Sequence, residues 1–143
     1  MKQSTKTREF KFERTIAAPP AEVFDAWLNP DTPGTPWHEN EKLIFNPKVD
    51  GLWYWLIRGN AHYGRFTKIE RPGRIQHTWM SKYTLGEESI VTLTFEKKGA
   101  DTLMTLLHAG LPDDEVAKSH EDGWNYFLDQ LTDHFGKSVK RRA

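Results

Sequence analysis

Residues 88–136 leave this chain few folds to choose from. Ser89-Ile90-Val91-Thr92-Leu93-Thr94-Phe95 alternates, with Val91, Leu93 and Phe95 on one side, and Thr102-Leu103-Met104-Thr105-Leu106-Leu107-His108 alternates again, with Met104, Leu106 and His108 against Leu103, Thr105 and Leu107. Alternation over such a length marks a strand with one buried face. Lys97-Lys98-Gly99-Ala100-Asp101 turns the chain between them. Then Val116, His120, Trp124, Phe127, Leu128, Leu131 and Phe135 recur at three- or four-residue spacing. That is one broad apolar stripe along about six helical turns. Asp113 is the expected N-cap, with Asp114 and Glu115 at the positive end of the helix dipole, and Gly136 is the expected stop. Two strands closing on one long striped helix predict the far end of a sheet wrapped around that helix. A strongly curled sheet leaves a pocket there, so the pocket is where function is sought.

The upstream chain supplies the rest of the sheet. Glu9–Ile16 alternates, with Phe10, Phe12 and Arg14 on one face, and predicts a first strand. Pro19-Pro20 opens a short helix with Val23, Phe24, Trp27 and Leu28 on one face, and Asn29-Pro30 ends it. Asp31–Asn40 is a Pro- and Gly-containing loop with a single helical turn near Trp37. Strands are expected at 41–47, 52–58, 61–70 and 74–81, with a hairpin turn at Gly59-Asn60. Gly64, inside one of them, predicts a bulge or a close backbone approach. The expected fold is α+β: a curved antiparallel sheet of about seven strands around a long C-terminal helix.

Composition narrows the function by exclusion. A length of 143 residues fits one domain, with an ordered core at about 8–136 and polar termini. The 20 basic residues balance the 20 acidic ones, which gives no charge-based case for nucleic acid or a membrane surface. The basic groups at Lys2, Lys6 and Arg8 and at Lys137–Arg142 are expected to be solvated arms. No cysteine is present, so disulfides and thiolate chemistry are excluded. The first residues carry no apolar run of a signal peptide, and no apolar stretch approaches ~20 residues. A cytoplasmic location is therefore expected.

Several segments in this order resemble one superfamily. They are Pro19-Pro20-Ala21-Glu22-Val23-Phe24-Asp25-Ala26-Trp27, Asp50-Gly51, and Tyr63-Gly64-Arg65-Phe66-Thr67-Lys68-Ile69-Glu70-Arg71-Pro72. Arg74-Ile75, Thr78-Trp79, Ser89–Leu93, Thr102–His108 and Gly123-Trp124 continue the match. The chain is similar to the START-like (SRPBCC), or helix-grip, superfamily, which includes the birch pollen allergens and polyketide cyclases. Within it, the chain resembles the branch named after the activator of the 90-kDa heat-shock protein ATPase. The resemblance implies the helix-grip fold and a cavity. Members bind hydrophobic small molecules, act as cyclases or aromatase-like catalysts, or assist chaperones. This chain departs where the family often has Gly-Gly, since it has Asp50-Gly51, and Asp tolerates turn geometry.

The candidate site follows from which side chains point inward. From the sheet these are Trp53, Trp55, Phe66, His77, Trp79, Met104, Leu106 and His108. From the helix they are Trp124, Phe127, Leu128 and Leu131. Both faces of Leu52–Arg58 are apolar, so alternation alone does not fix its parity. An apolar pocket with a few polar groups is the usual small-molecule site, whereas the same side chains can also pack together and leave none. Binding of a small hydrophobic ligand, aromatic ones included, is the leading expectation. His62, His77 and His108 are the polar candidates, as ligand hydrogen-bonding groups, as acid or base of a cyclase or hydrolase, or as structural histidines. Trp79 and Trp124 would stack on a planar ligand or anchor the core, with Gly123 letting the helix approach the sheet. Arg58 and Arg65 would attract an acidic group or lie at the surface. Asp113-Asp114 and Glu87-Glu88 are expected to be caps or solvated charge. No metal site or cofactor is expected, because His38-Glu39, His120 and His134 lack ligand spacing. A chaperone partner or a homodimer is the remaining possibility.

Overall fold

The computed structural model describes residues 7–115 and 118–142, with side chains up to residue 136. Seven antiparallel strands form one curved sheet in the order β1-β7-β6-β5-β4-β3-β2. They are β1 (Thr7–Ile16), β2 (Lys42–Phe45), β3 (Leu52–Ile57), β4 (Asn60–Glu70), β5 (Arg74–Trp79), β6 (Ser89–Lys98) and β7 (Asp101–Pro112). Helix α1 (Pro20–Trp27) follows β1, and helix α2 (Ser119–Arg142) closes the chain. This is the expected α+β helix-grip architecture. Among the described residues no helix is long and apolar enough to cross a membrane.

Alternation sets the inner face. β1 buries Phe10, Phe12 and Ile16, β6 buries Val91, Leu93 and Phe95, and β7 buries Met104, Leu106 and His108. Arg14, on the same face of β1, reaches α2 instead. Its guanidinium donates to Asn125 Oδ1 at 2.7 Å and pairs with Asp129 at 3.1 Å. Pro20 sits in the first turn of α1, where its missing N–H costs nothing. Val23, Phe24 and Trp27 of that helix are buried, and Phe24 meets Phe95 edge-on at 5.5 Å.

Turns follow the glycines. Ile57 pairs with Asn60, so the β3–β4 turn is Arg58-Gly59 and not Gly59-Asn60. Both turn residues have positive φ, 49° and 75°, the type I′ pattern that matches strand twist. Asp50, where the family often has the first of two glycines, adopts φ 66°, the left-handed conformation that Asp tolerates. Gly64 is a close approach: a Cβ there would lie 2.8 Å from the Trp53 ring. The bulge itself falls between Phe66 and Lys68.

The boundaries of α2 differ from expectation. Pairing of β1 with β7 continues as far as Thr7 opposite Pro112, which holds the chain extended up to Pro112. Asp113 therefore caps no helix, and lies 3.7 Å from Arg8 as an ion pair. Glu121 and Asp122 fill the first-turn acidic positions instead of Asp114 and Glu115. Val116 lies outside the described residues, as do Lys2 and Lys6. Gly136 is inside the helix, which runs on through the basic segment to Arg142.

Candidate functional site

The interior between sheet and helix is filled with aromatic rings. The loop before β2 makes a single 3-10 turn, Pro36–His38, that drives Trp37 into the core with no solvent exposure. Its indole N–H donates to the Trp27 carbonyl at 3.0 Å, and its ring lies 5.0 Å from that of Trp53. Trp79 stands at the centre, 5.0 Å from Trp53, 5.1 Å from Trp124 and 5.8 Å from Trp55. Trp27 packs 6.2 Å from Trp124. Protein interiors are close-packed, and here tryptophans occupy the space a ligand would use.

The open space is at one end of the sheet. A pocket of about 480 Å³ lies between the β3–β4 hairpin, the segment after β5 and the first half of α2. Its walls are aromatic: Trp79, Tyr83, Trp124, Tyr126 and Phe127, with His62 and His120. Ile57, Asn60 and Ser119 complete them, and Glu39, Arg58 and Asp122 contribute charge. Gly123 also lines the pocket, and a Cβ added to it would meet nothing within 4 Å. The expectation that Gly123 lets the helix approach the sheet is therefore not met. Gly123 leaves open space at a helical position where glycine costs about 1 kcal/mol relative to alanine.

The histidines divide into two classes. His108 is fully buried below the pocket and has both ring nitrogens engaged. The Trp124 indole N–H donates to His108 Nδ1 at 2.9 Å. An indole nitrogen only donates, so Nδ1 is the acceptor and the proton sits on Nε2. Nε2–H then donates to Ser89 Oγ at 2.7 Å, and that hydroxyl donates to the Trp79 carbonyl at 2.7 Å. The ring is thus held neutral, and burial, aided by His120 and His77, keeps its pKa well below the usual value. His77 is equally buried, with Nδ1 donating to the Thr78 carbonyl at 3.0 Å, and burial lowers its pKa to about 4. His62 does reach the pocket, its ring tilted against those of Trp55 at 4.7 Å and Trp79 at 5.4 Å. Burial lowers its pKa to about 4, and nearby His120 adds to that. The Trp55 and Asn60 backbone offsets it in part.

Every inward residue named from the sequence is buried, except Phe127, which is half-buried. Only Trp79, Trp124 and Phe127 of that set line the pocket. Trp53, Trp55, Phe66, Met104, Leu106, Leu128 and Leu131 belong to the packed core beneath it, and His77 and His108 are buried with them. Arg58 stands exposed at the rim, and Arg65 is elsewhere, paired with Asp50 at 3.3 Å. Sequence reasoning missed Glu39, Tyr83, Asp122 and Tyr126. Ser119, Asp122, Gly123 and Tyr126 do recur at helical spacing as a small and polar row beside the apolar stripe, which was a usable signal. Glu39 and Tyr83 sit in irregular segments with no periodicity to show where they face.

The family model described as Activator of Hsp90 ATPase homolog 1-like protein matches residues 17–136. A comparison with curated proteins finds none that matches. Several solved structures are similar over most of this chain's length. Protein Mll3558 from Rhizobium loti is 21% identical with a TM-score of 0.77, covering 92% of this chain and 99% of that one. PFC0360w, described as an HSP90 activator from Plasmodium falciparum, is 23% identical with a TM-score of 0.68, covering 92% and 93%. The Aha1 dimer from Colwellia psychrerythraea is 15% identical with a TM-score of 0.73, covering 90% and 96%. At these identities the structural likeness speaks for the fold alone.

Proposed function

The chain belongs to the family of activator of Hsp90 ATPase homolog 1-like proteins, and from that premise we propose that it binds a small hydrophobic ligand, an aromatic one in particular, in the pocket at the N-terminal half of α2. The observation that carries this is an aromatic-walled space of about 480 Å³ that Gly123 leaves without a side chain. That volume is in the range of small-molecule sites. Affinity would come from apolar burial at roughly 25 cal/mol per Å² and from ring stacking on Trp79 and Trp124. The setting proposed for this binding is the cytoplasm.

A cyclase or hydrolase acting through His77 or His108 finds no support in the geometry, because neither ring lines the pocket. An interaction module is the better-supported second reading. On the outer sheet face Ile44, Leu52, Tyr63 and Ile90 are exposed, and contiguous exposed apolar surface is a mark of protein contact. The Plasmodium relative is described as an HSP90 activator and the Colwellia one as a dimer. A chaperone or a second copy of the chain would then be the partner.

Tryptophan fluorescence during titration with a panel of apolar and aromatic compounds, with the inner-filter effect controlled, tests the pocket. Saturable quenching is expected for the native chain and not for Gly123→Leu, which fills the space. That variant gains helix propensity of about 0.8 kcal/mol, so loss of binding would not trace to unfolding. No saturable response across the panel would reject the pocket reading and leave the interaction module.

A further inference from the structure

Resting on the pocket reading above, we infer that the ligand is an organic cation, an amine carried on a flat apolar group, and that Glu39 receives its charge. Besides His62 and His120, three acidic or basic side chains line the pocket, Glu39, Arg58 and Asp122. Arg58 and Asp122 are exposed, where solvent and salt screen them. Glu39 alone of the three is half-buried.

Glu39 hydrogen-bonds a neutral side chain and makes no ion pair with a cationic one among the described residues. The Tyr126 hydroxyl, at 3.0 and 3.3 Å from the two carboxylate oxygens, is its side-chain partner. No ion pair among the described residues engages it. Its backbone is fixed, since the Trp55 indole N–H donates to the Glu39 carbonyl at 2.7 Å. The carboxylate is thus held at the pocket wall without an ion-pair partner.

The rest of the wall suits a cation. Tyr126 and Phe127 lie edge to face at 5.2 Å, and Phe127 meets Trp55 at 5.8 Å. Aromatic faces attract ammonium groups through the ring quadrupole, most strongly when water is reduced. The start of α2 would by itself favour an anion, but Glu121 and Asp122 in its first turn oppose that field. Apolar walls, π-faces and one half-buried carboxylate together select a protonated or quaternary amine over a neutral or acidic isostere.

Calorimetric titration of the full chain with phenethylamine, phenethyl alcohol and phenylpropionate holds the ring constant and varies the charge. The amine is expected to bind about tenfold more tightly than the alcohol, with the acid weakest. Glu39→Gln should erase the difference between amine and alcohol. Tyr126→Phe, which keeps the ring and the carboxylate, should retain it. Equal affinities for amine and alcohol, or preference for the acid, would overturn the inference while the pocket reading stands. The same holds if the amine preference survives in folded Glu39→Gln. Binding of none of the three at millimolar concentration would overturn both. Were Glu39→Gln to lose its fold, the charge series on the native chain decides the question alone.

Discussion

His108 shows what a single residue does here. It accepts from Trp124 on α2 and donates to Ser89 on β6, so one ring ties helix to sheet beneath the pocket. Replacing it with leucine leaves the Trp124 N–H unsatisfied in a buried place and strips the Ser89 hydroxyl of one of its two bonds, that to the Trp79 carbonyl remaining. An unsatisfied buried polar group costs about 1–3 kcal/mol. His108→Leu is therefore expected to lower unfolding free energy by roughly 2–4 kcal/mol, read as a fall in the urea midpoint at neutral pH. A change within error would show that the chain of hydrogen bonds contributes nothing net. Alternation alone told that His108 faces inward. Its two partners were not legible, because they come from elements whose relative placement no local pattern encodes.

At the scale of elements, the loop before β2 is the piece on which the pocket's position depends. Gly34 has φ +95°, and a Cβ there would stand 2.7 Å from Leu131 Cβ on α2. The loop thus lies directly on the helix, and that seating inserts Trp37 into the core. Gly34→Ala forces a left-handed backbone on a residue with a side chain and an overlap with the helix. It is expected to destabilise by about 2–4 kcal/mol, with a lower thermal midpoint in a calorimetric scan, whereas an unchanged midpoint would mean that the loop shifts freely. The sequence announced a turn near Trp37, since Pro33-Gly34 and Pro36 break any regular element. The limits of α2 were less legible. Asp113 and Gly136 carry the chemistry of a cap and a stop, but strand pairing with β1 kept residues up to Pro112 extended.

For the whole molecule, buried neutral histidines set the response to acid. Burial lowers the pKa of His62 and of His77 to about 4, and that of His108 well below its usual value. Unfolded, each titrates near 6.5, so between about 6.5 and 4 the unfolded chain binds more protons than the folded one. Stability from these groups is complete above about pH 6.5 and is lost progressively as pH falls toward 4. At about 1.4 kcal/mol per pKa unit, the loss by pH 5 is on the order of several kcal/mol. Urea unfolding at pH 7.5, 6 and 5 should show a midpoint that falls steadily, and a flat profile would mean that these rings take up protons as readily in the folded protein as in the unfolded chain.

What the amino-acid sequence determined by itself was the set of elements and the inward-facing side of each. Alternation in β1, β6 and β7 and the three-to-four spacing in α2 are local properties, decided by neighbours along the chain. They were enough for the sheet, the closing helix and the composition of the core. The tertiary structure alone decided whether that core contains a cavity. Trp37, Trp53, Trp79 and Trp124 come from a loop, two strands and a helix, and only their packing together shows that they fill the interior. The same packing moved the open space to the end of the sheet. There it brought Glu39, His62 and Tyr126, far apart in sequence, to one wall.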